Sequence, residues 1–227
     1  MKLIMPNDKQ KTIAGVFKTL LLILGGLLIC LASYQMFKII YPYRTGETNI
    51  DFLLFKQHII HLPAYRLSFY AHIFPSLMIL AGGLTQFSNF LLKKLPFVHI
   101  WVGRAYVALV LVISAPAALF MSFYAEGGVI AKIGFVALSL LWWVTTFMGY
   151  WKIRNRKIEV HKMWMIRSYA LTLSAVSLRV LQYFNSAYLF IEPLSFYTFL
   201  SWFSWIGNLV VAEMIIVFQN KSRFQIN

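Results

Sequence analysis

Three histidines and three arginines stand inside stretches that are otherwise apolar enough to lie in hydrocarbon: His72, His99 and His161, with Arg104, Arg167 and Arg179. A charge at the centre of a membrane helix costs at least about 2.5–3.5 kcal/mol, so it persists only where it is paired, hydrated or used. Three kinds of chemistry follow. Two histidines from facing helices can ligate a haem b iron axially, with nearby arginines pairing its propionates. An arginine without an acid at its depth suits an anion. An arginine with one makes an ion pair, and Glu213 is the one acidic residue deep in an apolar run.

The spacing of these residues says which way they point. His161, Met165, Ser168, Thr172, Ala175, Arg179 and Gln182 recur at steps of three and four, on one helical stripe. Ser68, His72, Ser76, Gly83 and Gln86 make a second stripe, with Asn89 at its edge. His99, Gly103 and Tyr106 make a third, with Arg104 about 100° further round. Asn208 and Glu213 mark the last apolar segment. Polar stripes on membrane helices face other helices or a cavity, so these four segments are expected to form a four-helix core with a polar interior.

Composition supplies the class. The chain has 227 residues, 60% hydrophobic and 12% charged, with a mean hydropathy of +0.70. A soluble domain carries roughly 25% charged residues. The fold class expected is all-α, a polytopic transmembrane bundle. Six segments approach or exceed the roughly 20 residues that span a bilayer, at about 12–40, 65–92, 98–124, 129–151, 161–190 and 194–218. The first is read as an uncleaved span, because its apolar run is longer than a signal peptide's and no A-x-A site follows. Between the first two, residues 41–64 form the one long loop. Phe52, Phe55, Ile59 and Leu62 lie there at helical spacing before Pro63, which predicts an amphipathic helix at the outer membrane surface.

The net charge of +14 falls in short clusters between apolar runs, with no nucleic-acid motif, so nucleic acid is not an expected partner. Lys2, Lys9, Lys11, Lys93, Lys94, Lys152, Arg154, Arg156, Lys157, Lys221 and Arg223 share one side of a six-span arrangement, and the other side holds Glu47, Asp51, Glu126 and Glu192 against the scattered bases Arg44, Lys56, Arg66 and Lys132. The positive-inside rule therefore places both termini in the cytoplasm, in a plasma-membrane protein whose first partner is the lipid bilayer. The single cysteine, Cys30, excludes an intramolecular disulfide. His58-x-x-His61 has a spacing common by chance, and no metal site is assigned to it.

In that orientation Arg104, Arg167 and Glu213 all lie about 8–11 Å below the inner surface, so Glu213 is expected to pair with Arg167 or Arg104. His99 and His161 stand at the same ends of their helices. They are the expected axial ligands of a haem b in an electron-transfer reading, although the same histidines serve equally well bonded to backbone or headgroups. His72 lies in the opposite half without a histidine partner in any span, where electron transfer across the whole membrane calls for a second site. The alternatives are a transporter or binding protein for an anion, small solute or quinone-like molecule, drawn from Arg179 and the Ser68–His72–Ser76 stripe, and a structural subunit.

Over about residues 65–215 the chain resembles a family of bacterial and fungal predicted membrane proteins classed as a domain of unknown function. The residues that carry the resemblance are His72, Gly83-x-x-Gln86, His99-x-x-x-Gly103-Arg104-x-Tyr106 and Trp142-Trp143-Val144-Thr145-Thr146. They continue with His161-x-x-Trp164-Met165-x-Arg167-Ser168-Tyr169-Ala170, Arg179, and Trp205-x-x-Asn208 with Glu213. The resemblance implies the architecture and these positions, without a reaction. A looser similarity, to cytochrome b561-like membrane haem proteins, rests on histidines in a six-helix bundle and implies haem. Such proteins use two histidine pairs where this chain offers one.

Overall fold

A computed structural model describes residues 8–224, with side chains for Leu20 and for 24–220. All regular structure among these residues is helical. The long elements are α1 (Asp8–Ile40), α2 (Pro63–Thr85), α3 (Pro96–Ser122), α4 (Gly128–Arg154), α5 (Ile158–Thr172), α6 (Ser174–Phe184) and α7 (Pro193–Phe224). Proline opens α2, α3 and α7, where its missing N–H would lack an intrahelical partner in any case. Glu192, just before α7, accepts from the backbone N–H groups of Leu194 and Ser195, which hold its carboxyl below the usual carboxylate range.

Among the described residues, five helices are long and apolar enough to cross a membrane: Leu24–Thr45, Pro63–Thr85, Pro96–Ser122, Gly128–Arg154 and Pro193–Asn220. The segment expected as a sixth, 161–190, is divided at Leu173 into α5 and α6, and neither piece spans a bilayer by itself. The physical reason lies in its hydroxyls. Thr172 Oγ1 bonds back to the Ser168 carbonyl at 3.1 Å, a contact that bends helices. At the break the Ala170 carbonyl accepts the side-chain N–H of Asn208 at 3.1 Å. The second expected span also ends early, at Thr85, because Ser88 caps a separate short helix, Asn89–Lys94, through Leu91 N–H at 3.3 Å.

Helix α3 widens into a π-helical turn over Leu109–Ser114, just before Pro116. A proline cannot donate to the carbonyl four residues back, and the wider turn absorbs that loss. The outside of the bundle is apolar: Leu24, Leu27, Leu28 and Leu31 of α1 stand more than half exposed, as does Phe218 of α7. Inside, Ile79, Tyr106, Val110, Trp142, Tyr169 and Trp205 form the central cluster. Helix α4, which lies outside the four expected core segments, supplies a full face to it. Ser139, Trp142, Thr145, Thr146 and Gly149 are all buried.

The long loop differs from the expected amphipathic helix. Tyr41–Thr45 is a 3-10 turn, Asp51–Leu54 a single α-turn, and the chain then runs through further turns to α2. Phe55 is 73% exposed and Leu62 is also exposed, whereas Leu53, Lys56, Ile59 and Ile60 are buried. These residues pack with Tyr43, Tyr65 and Phe69 into a second cluster that caps the α2 end of the bundle. The cause is Lys56. Its ammonium donates to the Tyr124 carbonyl and to Glu126 Oε1, both at 2.6 Å, which pins the loop to the α3–α4 turn.

Candidate functional site

The centre of the bundle is a hydroxyl network built on four helices. Tyr106 Oη of α3 lies 2.8 Å from Ser168 Oγ and 2.9 Å from Thr172 Oγ1 of α5. Trp142 of α4 donates its indole N–H to Thr172 Oγ1 at 3.0 Å, and Thr146 Oγ1 meets Ser168 Oγ at 2.7 Å. Tyr169 donates to the Leu80 carbonyl of α2 at 3.0 Å. Every one of these groups is buried and partnered, the condition under which a polar core specifies one arrangement.

Gly83 lets α2 close on this network. A Cβ there would sit 2.5 Å from the Tyr169 ring and 2.9 Å from that of Tyr106. Alanine is worth roughly 1 kcal/mol more than glycine in a helix interior, but overpacking a tight core costs typically about 1–3 kcal/mol. Gly83→Ala is therefore expected to lower the unfolding temperature of the purified protein in detergent. An unchanged or raised midpoint would show that the two tyrosines move aside freely.

The two histidines expected to ligate haem lie toward the end of the bundle away from the capping loop. His161 donates Nδ1–H to the Gly149 carbonyl at 2.8 Å. His99 Nδ1 is buried without a hydrogen-bond partner. Small residues let the helices pack closely at this end of the bundle. One turn along, Met165 Sδ would lie 2.5 Å from a Cβ at Gly149, and Gln86 Oε1 2.8 Å from one at Gly103. Met165 thus packs α5 against α4, and Gln86 packs the end of α2 against α3.

The arginines are also occupied elsewhere. Arg167 makes a two-pronged ion pair with Glu213, Nε to Oε1 at 2.5 Å and Nη2 to Oε2 at 2.9 Å, and lies over the Trp164 ring. Arg104 stacks over Trp101, 5.2 Å from its centroid. This arrangement lends a haem no support.

The half of the bundle beneath the capping loop contains a cavity of about 310 Å³ between that loop and α1, α2, α3, α4, α5, α6 and α7. His72, Ser76, Arg179 and Gln182 all line it, and its walls are otherwise largely apolar and aromatic. His72 and Ser114 lock α2 to the π turn of α3 reciprocally. His72 Nδ1 donates to the Ser114 carbonyl at 3.1 Å, and Ser114 Oγ donates to the His72 carbonyl at 3.1 Å. A carbonyl cannot donate, so the proton is on Nδ1 and Nε2 is the ring's remaining polar atom. Arg179 reaches Gln182 at 3.5 Å and is otherwise exposed. Asn208 does not line the cavity. It joins α7 to both sides of the helix break, through the Ala170 carbonyl and Ser177 Oγ.

Sequence reasoning missed Lys56, Ser174, Ser204 and the α4 face. The α4 signal was present, since Ser139, Trp142, Thr146 and Gly149 recur at steps of three and four. So was Ser201-x-x-Ser204-x-x-x-Asn208 on α7. Nothing local marks Lys56, because its partners lie 68 and 70 residues away.

With this geometry in view, a family model described as "Predicted membrane protein (DUF2306)" matches residues 69–216. The match covers well over half of the chain, which therefore belongs to this family. Neither the curated proteins nor the solved structures contain a match.

Proposed function

We propose that this member of the predicted-membrane-protein family binds a small amphipathic molecule in its outer-half cavity. The chain crosses the plasma membrane six times in this reading, with α5 and α6 together as the fifth crossing and both termini cytoplasmic. Ile158–Phe184 is about 40 Å long if helical throughout, enough to cross even with a kink. The basic residues at the α2–α3 and α4–α5 connections, Lys93, Lys94, Lys152, Arg154, Arg156 and Lys157, share one end of the bundle and favour this orientation. The sequence argument also drew on Lys2, Lys9, Lys11, Lys221 and Arg223, whose side chains lie outside the described residues.

One observation carries the ligand reading: a cavity of about 310 Å³ whose largely apolar wall is punctuated by His72, Ser76, Arg179 and Gln182. Binding sites for small molecules start near about 300 Å³ and combine apolar walls with a few placed polar groups. A quinone-like or comparably sized ring compound matches both size and lining.

The test uses menadione, a compact uncharged quinone, and the fluorescence of Trp142, which lines the cavity. Menadione titrated into detergent-purified protein should quench a saturable fraction of the tryptophan emission. Trp142→Phe should remove that fraction, and Ala118→Phe, which fills the cavity, should abolish saturation. Linear, collisional quenching identical in all three proteins would end the proposal.

A further inference from the structure

The helix break at Leu173 opens onto the cavity, with Leu171, Thr172, Ser174 and Ala175 among its lining. Helix α6 begins at Ser174, part-way along what would otherwise be one continuous crossing, so the positive end of its dipole lies within the bundle. The first N–H groups of a helix have no carbonyl of their own ladder, and discontinuous membrane helices use such ends to hold anionic groups.

A second observation is independent of the dipole. Ser174 Oγ and Ser204 Oγ are both buried, at 2% and 1% exposure, both line the cavity, and neither has a hydrogen-bond partner. Buried hydroxyls are almost always satisfied, and serines on helices commonly bond a carbonyl one turn back. Their neighbours do so: Ser139 to the Phe135 carbonyl and Ser201 to that of Thr198. Two orphan donors facing one cavity mark the place of an acceptor.

Charge gives the third element. The lining holds Lys56 and Arg179 but no aspartate or glutamate among the described residues. Glu126 answers the charge of Lys56 from outside the lining, which leaves Arg179 as the free cation of the described wall.

We infer that the cavity receives a carboxylate, its oxygens held by Ser174 Oγ–H, Ser204 Oγ–H and the first turn of α6, with Arg179 contributing its charge from the same wall. This deepens the cavity reading and rests on it. A free fatty acid and a soluble aromatic acid share that chemistry.

Competition against menadione quenching separates the possibilities. In detergent-purified full-length protein, 2-naphthoate should displace menadione about tenfold more tightly than 2-naphthamide, its neutral isostere, roughly the difference one charge-assisted hydrogen bond makes. Ser174→Ala combined with Ser204→Ala should bring that ratio close to one while menadione still binds. Decanoate run alongside assigns the source: tighter competition by decanoate than by naphthoate indicates a fatty acid, and the reverse order a soluble aromatic acid. Equal competition by naphthoate and naphthamide, or a ratio unmoved by the double substitution, overturns the carboxylate assignment and leaves the cavity reading standing. If menadione itself fails to saturate, both fall together.

Discussion

Alanine in place of Glu213 is expected to destabilise the folded protein by about 2–3 kcal/mol, because it strands Arg167 in the bilayer half of the bundle. Two rules compete over the size of this effect. An ion pair in water contributes about 0–1 kcal/mol. Breaking a fully buried pair costs about 3–5 kcal/mol, since the remaining charge stays desolvated. The Arg167 side chain is 23% exposed and that of Glu213 50%, so geometry alone would put the pair nearer the surface class. What decides is the medium outside: Leu209, Val210, Met214 and Val217 surround Glu213 on α7, a face built for lipid. Exposure to lipid screens nothing. Urea or SDS unfolding in mixed micelles measures the difference, and a loss below about 1 kcal/mol would mean the pair is solvated like a surface bridge. Exchanging the partners, Arg167→Glu with Glu213→Arg, should recover much of the loss if the pair serves packing alone.

Lys56 offers the second large effect, and its signature is an asymmetry. Its ammonium is almost wholly buried and relies on Glu126 and the Tyr124 carbonyl. Glu126→Gln removes the countercharge and leaves the ammonium where it is, which is expected to cost about 2–4 kcal/mol after allowing for the 45% exposure of Glu126. Lys56→Met removes the buried charge itself. Glu126 can then turn to the outer surface, and the methionine fills the space of the lysine stem, so this variant should be near neutral. Thermal unfolding gives the two stabilities, and limited proteolysis within 41–62 reports whether the cap has lifted. Equal losses from the two substitutions would mean that the lysine acts through packing of its stem and not through its charge.

These two ion pairs also show how unevenly the sequence speaks. Residue order alone narrows the partner of Glu213 to Arg167 or Arg104, because a fixed rise per residue puts all three at one depth, and the fold chooses Arg167. Lys56 cannot be matched in this way. It sits in a loop, where a lysine is ordinarily solvated, and only the folding of that loop onto the α3–α4 turn buries it. For the same reason the amphipathic pattern of Phe52, Phe55, Ile59 and Leu62 misleads: periodicity assumes a helix, and the loop needs a different set of residues inside to close the bundle.

The histidines make the same point from the other side. Residue type and depth bring His99 and His161 together, but neither reports how much room lies between them. Only the packing shows that Met165 sits on Gly149 and Gln86 on Gly103 at this end of the bundle. The open space lies in the other half, around a histidine without a histidine partner. Volume is a property of how side chains from several helices meet, and no single stripe contains it.

What the sequence determined by itself was the class of molecule, an all-helical membrane protein, because hydrocarbon imposes length, apolarity and internally satisfied backbone. The tertiary structure alone decided the break at Leu173, the packed cap and the position of the cavity. Each of these depends on which hydroxyl or carbonyl finds a partner on a different helix, and such pairing across tens of residues leaves no local trace in the order of amino acids.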